Sequence, residues 1–555
     1  MEISPASLTP RPRSRSRTRN STANSRSTSA TRRPSLSGTR KSLSSSSLNK
    51  LTITSTQIDD ERSVPSVQAV LDNSLPADFF KQDIIALTKA LKIHKWHKKS
   101  LNMHKLKITR ISGALTNSIY KIDYVDEEQD IHLPSLLLRV YGKNVDELID
   151  RDSELMTLIK LSQKRIGPRL LGIFTNGRFE QFLEGFVTLT KDQIRDQVIS
   201  QMIGRRMKDL HYKVDLTEEE SQTPVPTCWR LIEKWLKIFE NEYKPGYEKA
   251  GIDLKDIFMM DFDEFKKLVF RYKHWLFDKY KKEGFSLNYK FCHNDTQYGN
   301  LLLHNSFEPE EIIIDTPLGS SANLPEIAIK STSNKKDSNL VVIDFEYSGP
   351  NFPAYDIVNH FSEWMSNYHD AERSYFVNNK MFPTQLEQLN FIKAYIEYDF
   401  QLPSSNLKSA KSDQELLNNS DKQAVSIIQY EIEKMYNECV YWRSSVQIFW
   451  ALWGLIQNGP IEPKPKLNRN ESEQGVGSTY NITVEMEKFG LQDLEITTGD
   501  AITSSDDDFD YLKYSNQKLA IVVGDAMQFN LLDKDQVDSK YHADIKYLSF
   551  KTYDL

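Results

Sequence analysis

A change of hydrophobic period divides this chain. Between Leu106 and Leu183 the apolar residues mostly alternate, which predicts strands; beyond Asp192 they recur with helical spacing. Leu106–Ile111 and Ile119–Tyr124 alternate on either side of Ser112–Ser118, which reads as a hairpin turn. Ser135–Tyr141 reads as a third, largely buried strand. Two more strand-like runs fill Gly172–Leu183 around a turn at Asn176-Gly177. One amphipathic helix, Asp150–Leu161 with Leu155, Leu158 and Ile159 on one side, sits among them. Short helices are expected around Val70, Leu71, Asp83–Leu87 and Leu91. Strands first and helices after imply an α+β chain with a small antiparallel-sheet lobe followed by a large, mostly helical one.

The chain has 555 residues and no run of 18 apolar ones, so a transmembrane helix is not expected. No apolar segment follows the basic N-terminal residues, so a secretory signal is not expected either. Cys228, Cys292 and Cys439 are too scattered for a disulfide framework or a zinc cluster and fit a reducing, cytoplasmic setting. Residues 1–50 hold eleven Lys/Arg and one acid, Glu2. The rest has 60 basic and 76 acidic side chains, a net of -16. So acidic a body argues against nucleic acid as a partner.

Residues 1–62 lack the apolar content to offset ordering entropy and read as a disordered basic tail. Arg13–Arg17 and Arg32–Ser35 suit basophilic protein kinases, whose phosphates would cancel the positive charge; a passive solvated tail is the plainer reading. The basic tail could be drawn to anionic lipid but lacks apolar anchors for a membrane. A nucleotide-binding lobe is expected over 63–185 and a helical lobe over 186–555. Polar stretches near 307–338, 402–422 and 459–507 read as surface insertions.

Phe291–Leu302 carries the sharpest chemistry. An apolar strand end leads into His293-Asn294-Asp295, and Asn300 follows Asp295 by five residues. Protein kinases use that spacing to set a carboxylate against a substrate hydroxyl and an amide oxygen against a magnesium ion. The plainer reading is a polar loop after a strand. A second motif weighs against it: Leu340–Ile343 is a buried run that delivers Asp344, the place of a second metal-binding carboxylate. Arg139, near the end of the third strand, supplies a cation where kinases place a phosphate-gripping lysine, and Glu154 on the next helix is a candidate partner for it.

His293–Asn300 followed by Val342-Ile343-Asp344-Phe345-Glu346-Tyr347, together with Tyr355–Met365, resembles the choline/ethanolamine kinase family. The resemblance covers about 67–555 outside the insertions, and the tail and inserted loops look like the fungal branch. It implies a protein-kinase-like two-lobed fold, ATP and Mg2+ as cofactors, and phosphorylation of choline, or alternatively of ethanolamine. Phosphocholine would feed phosphatidylcholine synthesis. Asp295 would be the catalytic base, and Asn300 and Asp344 the metal ligands. Ser112, Gly113, Ala114, Leu115, Thr116, Asn117 and Ser118 would cover the phosphates, although Gly113 is the only glycine there. Arg139, Glu154 and Gln297 would lie at the nucleotide, and Gln181 and Leu183 at the adenine. Members of that family are often homodimers; no interface is readable here. A non-catalytic scaffold of the same fold would be expected to have lost Asp295, Asn300 or Asp344, and all three are present.

A quaternary ammonium has no N–H to donate, so aromatic faces and a nearby carboxylate suit it. The resemblance places Glu363, Tyr368, Trp450, Trp453, Phe509 and Tyr514 around it. Trp450 and Trp453 share a helix face, but with Val446 and Phe449 they would equally make a core stripe. Cys292 beside the loop reads as a small buried residue, not a nucleophile.

Overall fold

The computed structural model describes residues 64–111, 117–141, 151–164, 166–281, 288–308, 334–398, 419–461 and 509–555, with strand pairs at 56–57, 313–314 and 331–332. The side chains of 117, 151–154, 334–336 and 419–425 are not among them. Most of the basic tail, the hairpin turn at 112–116 and most of the three polar stretches therefore fall outside it.

The N-terminal lobe is a seven-stranded sheet of β1 (Thr56–Gln57), β2 (Ser66–Val67), β3 (Leu106–Ile111), β4 (Asn117–Asp126), β5 (Ile131–Tyr141), β6 (Leu170–Phe174) and β7 (Gly177–Gln181). Their order is β1-β2-β6-β7-β5-β4-β3. Only β2–β6 is parallel, as short hairpin connections favour. One helix, α1 (Ala77–Ala90), replaces the several short ones expected, and Val70 and Leu71 lie outside it. Its Ile84 and Leu87 share a buried core with Leu136, Leu138 and Val140 of β5. Strand alternation then turns Leu137 and Arg139 to the opposite face. The helix α2 (Arg151–Lys164) runs one turn past its expected end and buries Leu161 fully. At the β6–β7 hairpin a Cβ on Gly177 would stand 2.3 Å from the Arg139 carbonyl, so the strands can close there only on glycine. Asn176 at the tip clamps the incoming chain through Leu71 N and O, both at 2.8 Å.

The C-terminal lobe holds short strands β8 (Phe186–Thr188), β9 (Lys290–Cys292), β10 (Leu301–His304), β11 (Ile313–Ile314), β12 (Ser331–Thr332), β13 (Leu340–Val342) and β14 (Gly349–Asn351). Its helices are α3 (Gln197–Lys213), α4 (Glu218–Gln222), α5 (Thr227–Ile238), α6 (Lys244–Lys249), α7 (Lys255–Phe258), α8 (Phe262–Asp278), α9 (Pro353–Glu363), α10 (Gln385–Glu397), α11 (Asn419–Asn458) and α12 (Tyr511–Gln528). α11 begins inside the second polar stretch and packs against α9, α12, α5 and α10. Its apolar residues between Ile432 and Ile456, with those of α9, belong to the large core. The first polar stretch is anchored where it rejoins the lobe: Arg205 grips buried Asp337 through two bonds of 2.7 and 2.9 Å, three residues before β13. Among the described residues no helix is long and apolar enough to cross a membrane.

Candidate active site

β9 ends at Cys292, and the loop that follows is held by α9 and by the segment 343–351 that precedes it. The Asp356 carboxylate accepts from His293 N at 2.8 Å, Asn294 N at 2.9 Å and Thr296 Oγ1 at 3.3 Å, with His211 Nε2 at 3.0 Å. Burial pushes this carboxyl up, yet the bond to His211, the nearby histidines and the loop amides hold it below the usual aspartate range. One turn on, His360 donates from Nδ1 to Thr296 O at 2.9 Å and accepts from Trp364 Nε1 at 3.2 Å. That leaves it a neutral imidazole, and burial lowers its pKa to about 4. Asn294 takes a left-handed φ of 66° and ties the loop to Tyr347 O at 2.9 Å. His293 Nε2 donates to Ile343 O at 2.9 Å, while its Nδ1 accepts from Asp295 N at 3.2 Å. The loop is therefore fixed in the folded protein before any ligand arrives.

Asp295 emerges half-buried from this frame. Asn300, closing the 3-10 turn Tyr298–Asn300, donates from Nδ2 to Asp295 Oδ2 and to Asp295 O, both at 2.9 Å. Burial raises the Asp295 pKa well above the usual range, with Glu363, Glu346 and Asp344 adding to it and the Asn300 bond opposing. β13 ends at Val342, so Asp344 lies two residues past the strand, with a left-handed φ of 65°. Its Oδ1 is buried without a hydrogen-bond partner among the described residues, and Arg139 Nη1 stands 3.5 Å from it. The amide oxygen of Asn300, opposite the nitrogen bonded to Asp295, and the orphaned oxygen of Asp344 are hard donors of the kind a divalent cation takes. Arg139 is also 4.0 Å from Glu180, which Arg178 grips at 2.5 Å.

Next to these carboxylates lies a chain of aromatic rings. Tyr347 meets Trp450 at 5.6 Å between centroids, Trp450 meets Trp453 at 5.5 Å, and Trp453 meets Tyr514 at 6.2 Å. Phe509 follows at 5.4 Å from Tyr514, and Tyr368 at 6.5 Å from Phe509. Tyr368 OH donates to Glu363 Oε2 at 2.7 Å and so links the carboxylate to the rings. Trp450 is buried and donates to Asn359 Oδ1 at 2.7 Å; half-buried Trp453 donates to Tyr347 OH at 2.9 Å. Both indole N–H groups are therefore used, and the ring faces are what remains for a ligand.

A family model described as choline/ethanolamine kinase matches residues 108–523, and one described as choline kinase N terminus matches 55–104. The chain belongs to the choline/ethanolamine kinase family. A choline kinase of Saccharomyces cerevisiae is 36% identical over 499 residues, 85% of this chain and 80% of that protein. An ethanolamine kinase of the same yeast is 31% identical over 506 residues, 87% and 83%. The crystal structure of a choline kinase from Cryptosporidium parvum Iowa II aligns with 81% of this chain and 97% of its own at 20% identity and a TM-score of 0.47.

Membership of the choline/ethanolamine kinase family carries with it the two-lobed, protein-kinase-like fold. Of the residues expected at its site, Asp295, Asn300, Asp344 and Arg139 come together, as do Glu363, Tyr368, Trp450, Trp453, Phe509 and Tyr514. Gln297 is occupied locally, its Oε1 accepting from Gly299 N at 3.2 Å. Gln181 ends β7 and accepts from Arg169 Nε at 3.1 Å. With Leu183, Trp96 and Leu136 it lines a cavity of about 380 Å³ on the α1 side of the sheet, opposite Arg139. Ser118 pairs with Val140 in the sheet. Residues 112–116 and the side chains of Asn117 and Glu154 are outside the described residues; among those described, Asp344 and Glu180 are the acids near Arg139. Sequence reasoning missed Glu180, Tyr347 and Asp356 as site-builders. Glu180 was readable, since an acid two residues from Arg178 on a strand beside Arg139 shares its face. Cys292 is buried at the loop and burial raises its thiol pKa, the state of an inert residue.

Proposed function

We propose that the enzyme transfers the terminal phosphoryl group of ATP to the hydroxyl of choline, giving phosphocholine and ADP, with ethanolamine as the alternative substrate. The observation that carries this reading is the ring chain from Tyr347 to Tyr368 beside Glu363, within electrostatic reach of Asp295. A trimethylammonium suits aromatic faces whose N–H donors are already spent. The higher identity to a choline kinase than to an ethanolamine kinase points the same way.

Asp295 would take the hydroxyl proton. Its raised pKa makes it a stronger base than a surface carboxylate. Asn300 orients it through the bond to Oδ2. Asn300 and Asp344 would hold magnesium, which when bound neutralises charge on the phosphates. Arg139 would leave Asp344 for a phosphate oxygen, with Glu180 and Arg178 steadying its stem. The rest of catalysis is positioning of an in-line pair. Under this reading residues 63–185 bind nucleotide and 186–555 bind choline. The location is cytoplasmic, the product enters phospholipid synthesis, and the basic tail is open to protein-kinase control.

The test is to incubate purified protein with ATP, magnesium and choline and follow 31P NMR. Equal amounts of ADP and phosphocholine are expected. ATP left intact, or ADP formed without phosphocholine, would overturn the reading.

A further inference from the structure

Lys518 is a buried cation beside the aromatic rings. It lies on α12, one turn after Tyr514, and its side chain is fully buried. Among the described residues its Nζ has no hydrogen-bond partner, yet it stands 3.8 Å from Glu363 Oε1 and 5.2 Å from the centroid of the Tyr514 ring. A buried ammonium without hydrogen bonds is costly, and burial pulls its pKa down against the pull of Glu363. Packing alone would be served better by methionine, so the charge asks for a reason. Glu363 supplies one. Its Oε2 accepts from Tyr368 OH and its Oε1 faces the Lys518 ammonium at 3.8 Å, so the charge of the choline-side carboxylate is shared on both oxygens.

We infer that Lys518 is a specificity-determining residue that screens Glu363 and so biases the site towards quaternary ammonium substrates. The inference rests on the choline kinase reading above. A primary ammonium is compact, strongly hydrated and carries N–H donors, so leaving water requires a carboxylate with free oxygens. A trimethylammonium donates nothing and keeps its charge further from any oxygen, so it loses little when Glu363 is shared. It still gains the faces of Trp450, Trp453 and Tyr514. Screening Glu363 therefore penalises ethanolamine more than choline, an instance of specificity built against the competitor.

The test compares kcat/KM for choline and ethanolamine in wild type, K518M, K518R, E363Q and the double variant E363Q/K518M. The expected result for K518M is a choline-to-ethanolamine ratio lowered by about tenfold, mainly through a lower KM for ethanolamine. K518R, which keeps the charge, should hold the wild-type ratio within about twofold. In the E363Q background K518M should leave the ratio unmoved, because Lys518 acts through Glu363. If K518M gives no folded protein, K518Q removes the same charge and the same ratio decides. A parallel fall for both substrates, or a ratio that still shifts without Glu363, overturns the inference while the kinase reading stands. Wild-type protein that phosphorylates neither amine overturns both.

Discussion

Asn300 Nδ2 stands 2.9 Å from Asp295 Oδ2, across the five-residue gap that first marked the loop. The bond makes the two side chains one unit: the amide nitrogen fixes the Asp295 carboxylate and the amide oxygen is left facing away from it. Asp295→Ala should lower kcat by about 10²-fold or more, as loss of a positioned base does, with little change in ATP affinity. Asn300→Ala should lower kcat and also raise the magnesium concentration needed for half-maximal rate. Steady-state kinetics across a magnesium series measures both.

The raised pKa of Asp295 has a sign that can be checked. Because the folded pKa exceeds the unfolded one, the ionised carboxylate opposes folding, and the relative stability it brings at low pH is lost as pH rises through the folded pKa. Asp295→Asn keeps the acceptor for Asn300 and removes the charge. At neutral pH the ligand-free variant should melt about 1–2 °C above wild type, and the gain should vanish in acid. Differential scanning calorimetry at two pH values measures it. In wild type the acid limb of kcat/KM should lie above the ordinary aspartate range.

Asp356 takes three loop donors and faces His211 from inside the core, so its removal strands them all. Asp356→Ala should cost about 3 kcal/mol or more and lower kcat even in the folded fraction, because the loop loses its frame. Its depressed pKa gives stability present above the unfolded pKa and lost as pH falls through the folded one. The acid unfolding midpoint should therefore move to higher pH in the variant. Thermal and acid melts, paired with activity per folded molecule, separate the two effects.

Arg139 lies between Asp344 and Glu180. Arg139→Met should raise KM for ATP by about tenfold, the loss of one charged contact, and leave KM for choline nearly unchanged. A rise in KM for choline of the same size would show that Arg139 shapes the lobe as a whole and has no specific role at the phosphates.

Trp453 bridges Tyr347 and Tyr514 and is half-buried. A desolvated cation–π contact is worth ~2 kcal/mol, so Trp453→Ala should lower kcat/KM for choline by about tenfold and for ethanolamine by less. Equal losses on both substrates, in protein that still melts like wild type, would make Trp453 a core residue.

Local order was legible because it is written locally. The period-two runs at Leu106–Ile111 and Ser135–Tyr141 lie in β3 and β5, and Asp295, Asn300 and Asp344 announced themselves by spacing. The connections between them were not legible, because they join residues far apart in sequence. Asp356 reaches the loop across 63 residues, and Trp453 reaches Tyr347 across 106. Trp450 shows why core and box were hard to separate: it is buried and hydrogen-bonded to Asn359, yet it lies in the ring chain. Asp337 looked like part of a solvated insertion, and only its pairing with Arg205 takes it into the core. Lys518 gave no signal, since a lysine one turn after Tyr514 on a helix is ordinarily a solvated charge.

The most direct test of the central claim is steady-state kinetics of the purified enzyme on choline and ethanolamine side by side, at saturating ATP and magnesium. The account predicts turnover of both with the higher kcat/KM for choline. A higher kcat/KM for ethanolamine would contradict it.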